Sequence, residues 1–525
     1  MQQWLEFNGA GEVGVVADAP PHEAPPNAWT SAQNVRFRDG SAVSFPGHDV
    51  GSDNTNVDDV LAIMPVSSNT QHYWAHATLS GATPKLYAFD GTTQHDISPS
   101  VALTNTRSDI FTWAFLNQNL VFNNGVDQPH SWALDTGTPA AILTGWNSNC
   151  RAGSIFAHRG FLIALDITDT GTRRPFRVKW SDEAAAGGLP TSWDITDATK
   201  QAGEFDLGDA VGSTLLAGLG LREQAMLYTE RDAIAMQYIG GDLIWSFRPI
   251  SRAAGVLSRR AVGAFRGNHI YVTDQDVVMT DGQTVRSIID RRNRRFLFNQ
   301  LDESNYGFAQ VQVHRLLNEV WIAFPGQGST YNNLALVWNV NDNTWGVRDL
   351  PAGCISLADG IDITGLSTET WTSSANNWDV ETQSWDERSF NIVGGQLLLG
   401  GDDSGAGVTG GPIFRAEKTN QFDGVNRTSR IERLGLRVPN GERKMTITEL
   451  WPRATGGVFK VYVGTQDDPN GPVTWQVEKD FDPEQDRKVT FRMTGRYPCV
   501  AFESNTDVDW ALQGFSMKYR EGARR

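Results

Sequence analysis

Chemistry in a protein needs suitable side chains held close together, and this sequence offers few at telling spacings. "GAGEVG" sets Gly9, Gly11 and Gly14 in the GxGxxG order that can cradle a dinucleotide pyrophosphate. That use requires a strand before the motif and a helix after it. Here "VVADAPPHEAPP" follows, and its prolines preclude a helix, so the segment reads as a turn. His72 and His76 in "QHYWAH" would share one face of a strand. They would lie about 13 Å apart, too far to hold one metal ion. The acidic run "GSDNTNVDDV" (51–60) lacks the glycine at the sixth position and the glutamate at the twelfth that a calcium loop uses, and it reads as a solvated linker.

Cys150, Cys354 and Cys499 are odd in number and far apart, without CxxC spacing. They read as reduced thiols of a cytosolic setting, not as a disulfide framework or a zinc site. No GxxxxGK[ST], HExxH or GxSxG pattern occurs. A glycan-cleaving enzyme would need two converging carboxylates, and spacing singles out no pair among the 61 acidic residues. The expectation is a non-enzyme with no catalytic residue, no cofactor and no metal.

One cluster stands out by charge. "SIIDRRNRRFLFNQ" (287–300) carries Arg291, Arg292, Arg294 and Arg295 in a chain of net charge −16. From Arg248 to Arg295 there are ten arginines, no lysine and four aspartates, a local net of +6. Arginine without lysine suits bidentate carboxylate pairing, because the guanidinium is a planar fork. The acidic whole disfavours a protein that grips nucleic acid, since phosphate binding needs a basic surface. Ser287 or Asp290 is expected to cap a short helix here, with Phe296, Leu297 and Leu301 on its buried side.

The elements that position these residues are almost all strands. The chain has 525 residues, 40% of them hydrophobic, with 52 Gly, 18 Trp and 25 Phe. Long helical periodicity is nearly absent, and short alternating runs close on Gly, Asn or Asp. An apolar run, a polar turn and a second apolar run recur at 111–125, 154–166, 220–240, 263–282 and 311–326. The turns centre near Asn119, Arg159, Glu223, Gly267 and Leu317, mostly at the spacing of a four-stranded propeller blade. Trp-marked strands follow in "QPHSW", "FRVKWSDEAAAGGLPTSWD" and "LALVWNVNDNTWGVRDLP". Two further candidate blades flank the five, one including 85–98 and the other 394–418. "NVNDNTW" (339–345) and "DVETQSW" (379–385) read as turns whose tryptophan packs between blades.

The two ends differ from this middle. Residues 1–50 begin as a Pro-rich extended arm with one strand at Val35–Arg38 and a turn at Asp39–Gly40. After about residue 425 the alternation becomes regular. Phe459, Val461 and Val463 share one face, Val489, Phe491 and Met493 another, and Gly514 marks a bulge. The expected fold class is all-β: an irregular β-propeller (51–425) with an extended N-terminal arm (1–50) and a C-terminal β-sandwich (426–525). No run of about 18 apolar residues is present, so no membrane-spanning segment is expected. The N-terminus has no signal-peptide pattern.

The order of these pieces resembles the tail nozzle proteins of short-tailed bacteriophages, also called tail tubular protein B or DNA-stabilisation proteins. The resemblance runs through "NVRFRDGSAVSFPGH", "RVKWSDEAAAGGLPTSWD", "AAGVLSRRAVGAFRGNHIYVTDQDVVMTDGQTVRSI", "EVWIAFP", "GDDSGAGVTGGPIF" and "TGRYPCVAFESNTDVDWALQGF". It implies a structural protein of the virion tail, assembled in the host bacterial cytoplasm. Six copies would form a ring below the portal adaptor protein and above a tail needle, plug or fibre. Genomic DNA would be retained and conducted through the lumen without sequence-specific binding. In a closed ring each subunit presents two different faces, and a basic patch meeting an acidic one would fix their orientation. On that reading Arg291, Arg292, Arg294, Arg295, Arg259 and Arg260 are candidate inter-subunit or adaptor contacts, beside the plainer reading of a solvated face. Two other classes fit the same strands: a phage receptor-binding or glycan-depolymerase propeller, and a kelch-like interaction scaffold.

Overall fold

The structure is a computed structural model and describes residues 2–52, 59–68, 71–208, 212–289, 292–364, 395–401, 411–438, 443–469 and 471–521. Among the described residues the alternating runs pair into seven blades of four antiparallel strands, two of them within larger sheets. Blades one to five span 59–96, 112–142, 150–206, 215–251 and 262–287. Blade six is built from Gln310–His314, Glu319–Phe324, Asn332–Asn339 and Thr344–Cys354. The fold is an all-β propeller, as the turn spacing requires. The expected hairpin turns fall where the polar residues sit. Asn117–Gln118, Arg159–Gly160 and Arg266–Gly267 hold positive φ at both turn residues, the geometry that matches the twist of two-residue hairpins. The acidic run 51–60 lies mainly outside the described residues, as does "DVETQSW". Trp345 of the other turn is buried and stacks on Trp338 at 5.9 Å.

Blade seven joins the two ends of the propeller chain. Ser356–Ile361, Gly395–Gly400 and Ile413–Ala416 supply three strands, and His48–Ser52 supplies the outer one. Trp74 of blade one then donates its indole N–H to the Ile361 carbonyl at 2.9 Å, and the Ile63 amide donates to Ser356 Oγ at 3.1 Å, fastening blade seven to blade one.

Residues 429–521 form a two-sheet sandwich, with Phe459, Val461, Val463, Val489 and Phe491 buried between the sheets. The register of Trp510–Glu521 against Met445–Gly456 shifts between Gly514 and Leu512, the expected bulge. The first fifty residues do not stand apart as an arm. Gln2–Asn8 pairs with Trp510–Glu521, and Ser31–Gln33 pairs with Ser429–Arg433. Between them the Pro-rich stretch is gripped by Arg433, whose guanidinium donates to the carbonyls of Pro21 (2.7 Å) and Ala24 (3.1 Å). Trp29, fully buried, donates to the Ala10 carbonyl at 2.7 Å. The physical reason is hydrogen-bond supply: proline-rich backbone exposes carbonyls without matching N–H groups, and a buried Arg satisfies several at once. Replacing Arg433 with Met orphans these carbonyls. We expect a loss of about 3 kcal/mol, read as a lower urea midpoint, with new protease cutting between residues 18 and 30.

Sandwich and propeller share one sheet. Val35–Arg38 pairs with blade six at Val347, its hairpin partner Ser41–Ser44 pairs with Trp510–Glu521, and the ladder continues into the sandwich. A buried cluster locks this junction. Arg36 lies between Glu319 (3.2 Å) and Glu417, while Arg348 donates to the carbonyls of Pro46 and Gly47 and lies over the Trp321 ring at 4.7 Å.

Candidate functional site

The first strand of each blade lines the propeller axis, and in blades two to seven these strands enclose a cavity of about 420 Å³. Small residues, Ala114, Ala157, Gly218, Gly263 and Ala358, line it beside larger ones such as Trp113 and Phe115. Gly218 has no room for more: a Cβ there would lie 2.1 Å from the Phe156 ring.

Two arginines stand at one mouth of the cavity. Both come from the connector between blades four and five, and they diverge. Arg259 reaches to blade three, 3.4 Å from Asp166, a carboxylate that Arg173 already holds bidentately at 2.8 and 2.9 Å. Arg260 turns the other way and donates one N–H to the Ile355 carbonyl at 2.9 Å, ahead of blade seven. Its Nε–H is buried without a partner, and no carboxylate lies within ion-pair distance among the described residues. Burial pushes the Arg260 guanidinium down to about 10, still charged at neutral pH, and the Cys354 thiol beside it is pushed up to about 12 by burial and is neutral there.

The opposite mouth carries Arg315 and Asp359, 3.5 Å apart. Burial raises the Asp359 carboxyl to about 6, against the opposing pull of Arg315, and its Oδ1 has no hydrogen-bond partner. On this face the first turn of each of blades three to six carries an arginine that reaches the next blade. Arg159 pairs with Glu223, Arg222 overlies Gly267, Arg266 donates to Asn318 at 2.7 Å, and Arg315 meets Asp359. Reading the chain as a line did not reveal this circlet; aligning the hairpins on their turns would have, because all four arginines fall at or beside a turn centre.

The sequence-predicted arginines therefore separate. Arg259 and Arg260, read from the sequence as candidate inter-subunit or adaptor contacts, line the axial cavity, because the connector carrying them turns towards the axis. Arg294 pairs with Asp276 at 2.8 Å and with Ser287 at 3.2 Å, inside the same subunit. Arg295 is exposed, Arg292 is half-buried and gives its carbonyl to the Asp18 amide, and Arg291 lies outside the described residues. A short helix does form, α1 (Arg294–Gln300), with Leu297 buried and Leu301 just beyond its end. Its cap is not local. Asp18 of the N-terminal stretch accepts from the amides of Arg295 (2.7 Å) and Phe296 (2.9 Å), and Asn293 bonds Val15 and Ala17. Ser287, expected as the cap, instead donates to Asp276, and Asp290 lies outside the described residues.

Other buried titratable groups bridge neighbouring blades. His269 accepts from the Tyr228 hydroxyl at Nδ1 (2.8 Å) and donates from Nε2 to the Gly220 carbonyl (3.0 Å), joining blades four and five. Gly11 and Gly14 pack against the backbones of Ser41 and Trp345, which fits a packed turn. No group of three metal-ligating side chains occurs among the described residues, and no described helix is long and apolar enough to cross a membrane.

The chain matches no protein-family model and no curated protein sequence. Solved structures similar to it include a β-propeller domain. The WD40 β-propeller domain of Doa1 aligns with TM-score 0.38 and 10% identity over 71% of this chain and 97% of that one. YCF48 from Cyanidioschyzon merolae aligns with TM-score 0.35 and 10% identity over 70% and 98%. At such identities the likeness concerns the fold alone.

Proposed function

We propose that this protein is a structural subunit of a bacteriophage tail nozzle, built to assemble as a closed ring. The observation that carries the reading is a pair of exposed aromatic and aliphatic patches on different modules of one rigid body. On the sandwich, Trp4 is 50% exposed and meets Trp451 edge-on at 6.0 Å, with Lys518 and Lys488 over the two rings. On the outer strands of blades three and four, half-exposed Phe205 stacks on Phe247 at 5.1 Å, and Leu243 is exposed in the turn that leads into the outer strand of blade four. A head-to-tail contact joins two different patches, and repetition around a rotation axis closes a ring. Exposed aromatic clusters of this kind are favoured at the centre of interfaces. The shared sheet between sandwich and propeller keeps the patches in fixed relation, which a closed ring needs.

The lumen of such a ring, below a portal adaptor, would be the path of the genomic DNA. The cavity inside one propeller is far too small for a duplex and has two arginines at its mouth. An acidic protein of net charge −16 would let DNA slide, because each cation facing the lumen adds a salt-dependent phosphate contact. Exposed Arg295 and half-buried Arg292 are the members of the arginine run left for an adaptor or a neighbour.

Electron microscopy with sedimentation tests this. Purified protein mixed with its adaptor should give six-fold rings. Trp4→Glu and Leu243→Glu should each abolish them while leaving the melting temperature within about 2 °C, as exposed sites do. A protein that stays monomeric at every concentration with the adaptor present would remove the nozzle reading and favour a free-standing propeller scaffold.

A further inference from the structure

We propose that the axial cavity is a binding site for a small oxyanion, a carboxylate- or phosphate-bearing molecule seated on Arg260 with Arg259 beside it. The argument is one of unbalanced charge. Arg260 places a cation on the cavity wall with a buried Nε–H that bonds nothing and only the Ile355 carbonyl to receive its other N–H groups. No acidic side chain among the described residues comes within ion-pair distance of it, and the Cys354 thiol that acts on it is buried and neutral. Arg259 adds a second cation at the same mouth. Its ion-pair partner among the described residues, Asp166, is already engaged by Arg173, so two guanidinium groups share that acid.

Arg260 is half-buried with its Nε–H fully buried, and a cation so placed without a counter-charge is costly, so that proteins normally pair it or give it a ligand. The guanidinium fork presents parallel N–H donors suited to two oxygens of a carboxylate or phosphate. Space is available: about 420 Å³ holds a compact di- or tricarboxylate or a phosphate ester. Gln312 lines the wall as a further polar group, while the carboxamide of Gln310 is held on both sides by the Leu357 backbone. The site does not depend on ring assembly, since every residue named comes from one subunit.

Calorimetric titration of the intact protein with inorganic phosphate and, separately, with citrate, each against sodium chloride of equal ionic strength, tests the proposal. The expected result is saturable binding of at least one of them, weakened about tenfold or more in Arg260→Gln, and less in Arg259→Gln and in Arg260→Lys, which keeps the charge but loses the two-donor fork. Preference for citrate would mark a carboxylate ligand, and preference for phosphate a phosphorylated one. Wild-type crystals soaked in selenate give a readout that needs no variant to fold: an anomalous peak should lie within hydrogen-bond reach of the Arg260 guanidinium. Equal binding by wild type and Arg260→Gln, or selenate found only elsewhere, would overturn the site.

Discussion

A chain lacking residues 1–52 is expected not to reach the native fold. Circular dichroism should show no cooperative melt, where the intact chain gives one sharp transition. The deleted segment holds the outer strand of blade seven and four strands of the sandwich sheets. Without His48–Ser52, Ile413–Ala416 becomes a bare edge, its hydrogen-bonding groups open to any other chain. Without Gln2–Asn8 and its neighbours, Phe515 loses Phe7, its stacked partner at 4.8 Å, and Arg433 loses the carbonyls it serves. The contacts involved span the chain: Tyr519 bonds Gln3 across 516 positions, and Arg415 and Asp49, 366 positions apart, pair at 2.5 Å. The fold is therefore completed by joining its ends, and closing so long a loop is favourable only once most blades exist.

Single substitutions should report the same closure. A Cβ on Gly47 would stand 1.8 Å from the Gln421 carbonyl oxygen, and the Gly47 carbonyl already accepts from Arg348 at 3.0 Å. Gly47→Val should cost about 3 kcal/mol or more, since backbone must move to admit it. Glu319→Gln removes one of the two acids flanking buried Arg36, at a cost of about 3–5 kcal/mol. A truncated chain that melts within a few degrees of the intact one would refute the account of closure.

Stability should also fall steeply as the pH drops below 6.5. His48, His76, His269 and His314 are all buried, and burial, aided at His48 and His314 by nearby arginines, depresses them to about 3, 4, 4 and 4. An unfolded histidine takes up its proton near pH 6.5, and these four cannot do so while folded. Between pH 6.5 and about 4 the unfolded chain thus binds more protons than the folded one, so stability rises with pH across that window and is lost on acidification. Each histidine contributes up to about 1.4 kcal/mol per pH unit. Asp359 acts in the opposite sense: its carboxyl, raised to about 6, takes a proton in the folded state first and offsets one histidine. Three remaining terms give about 4 kcal/mol per unit, a large share of the 5–15 kcal/mol typical of a folded domain. Urea midpoints at pH 7, 6 and 5 measure this directly. His269→Gln, which keeps a polar group beside Tyr228, should flatten the slope by about a quarter to a third. A midpoint unchanged from pH 7 to pH 5 would contradict the assignment of these four side chains as buried and neutral.

How much of this the sequence discloses depends on the range of the interaction. Asn117–Gln118, Arg159–Gly160 and Arg266–Gly267 announce their hairpins because a turn needs only a few residues and a permitted φ. The in-out alternation of Lys488–Met493 and the bulge at Gly514 are legible for the same reason, since one strand's face is written every second residue. Propeller class and sandwich follow from these local signals. The arm does not: its prolines predict extension, and extension says nothing about which edge it will meet. Only the fold puts Asp18 at the head of α1, Arg433 under the Pro21 and Ala24 carbonyls, and His48–Ser52 on the far blade. The arginines show the same division. Their number and bias are in the sequence, but position along the chain does not tell a surface from a cavity. Arg294 and Arg295 sit in one helix and Arg259 and Arg260 in one connector, yet the connector turns to the axis and the helix stays outside. Whether a cation meets a carboxylate, water or an unfilled cavity is decided by strands hundreds of residues away, and that decision belongs to the tertiary structure alone.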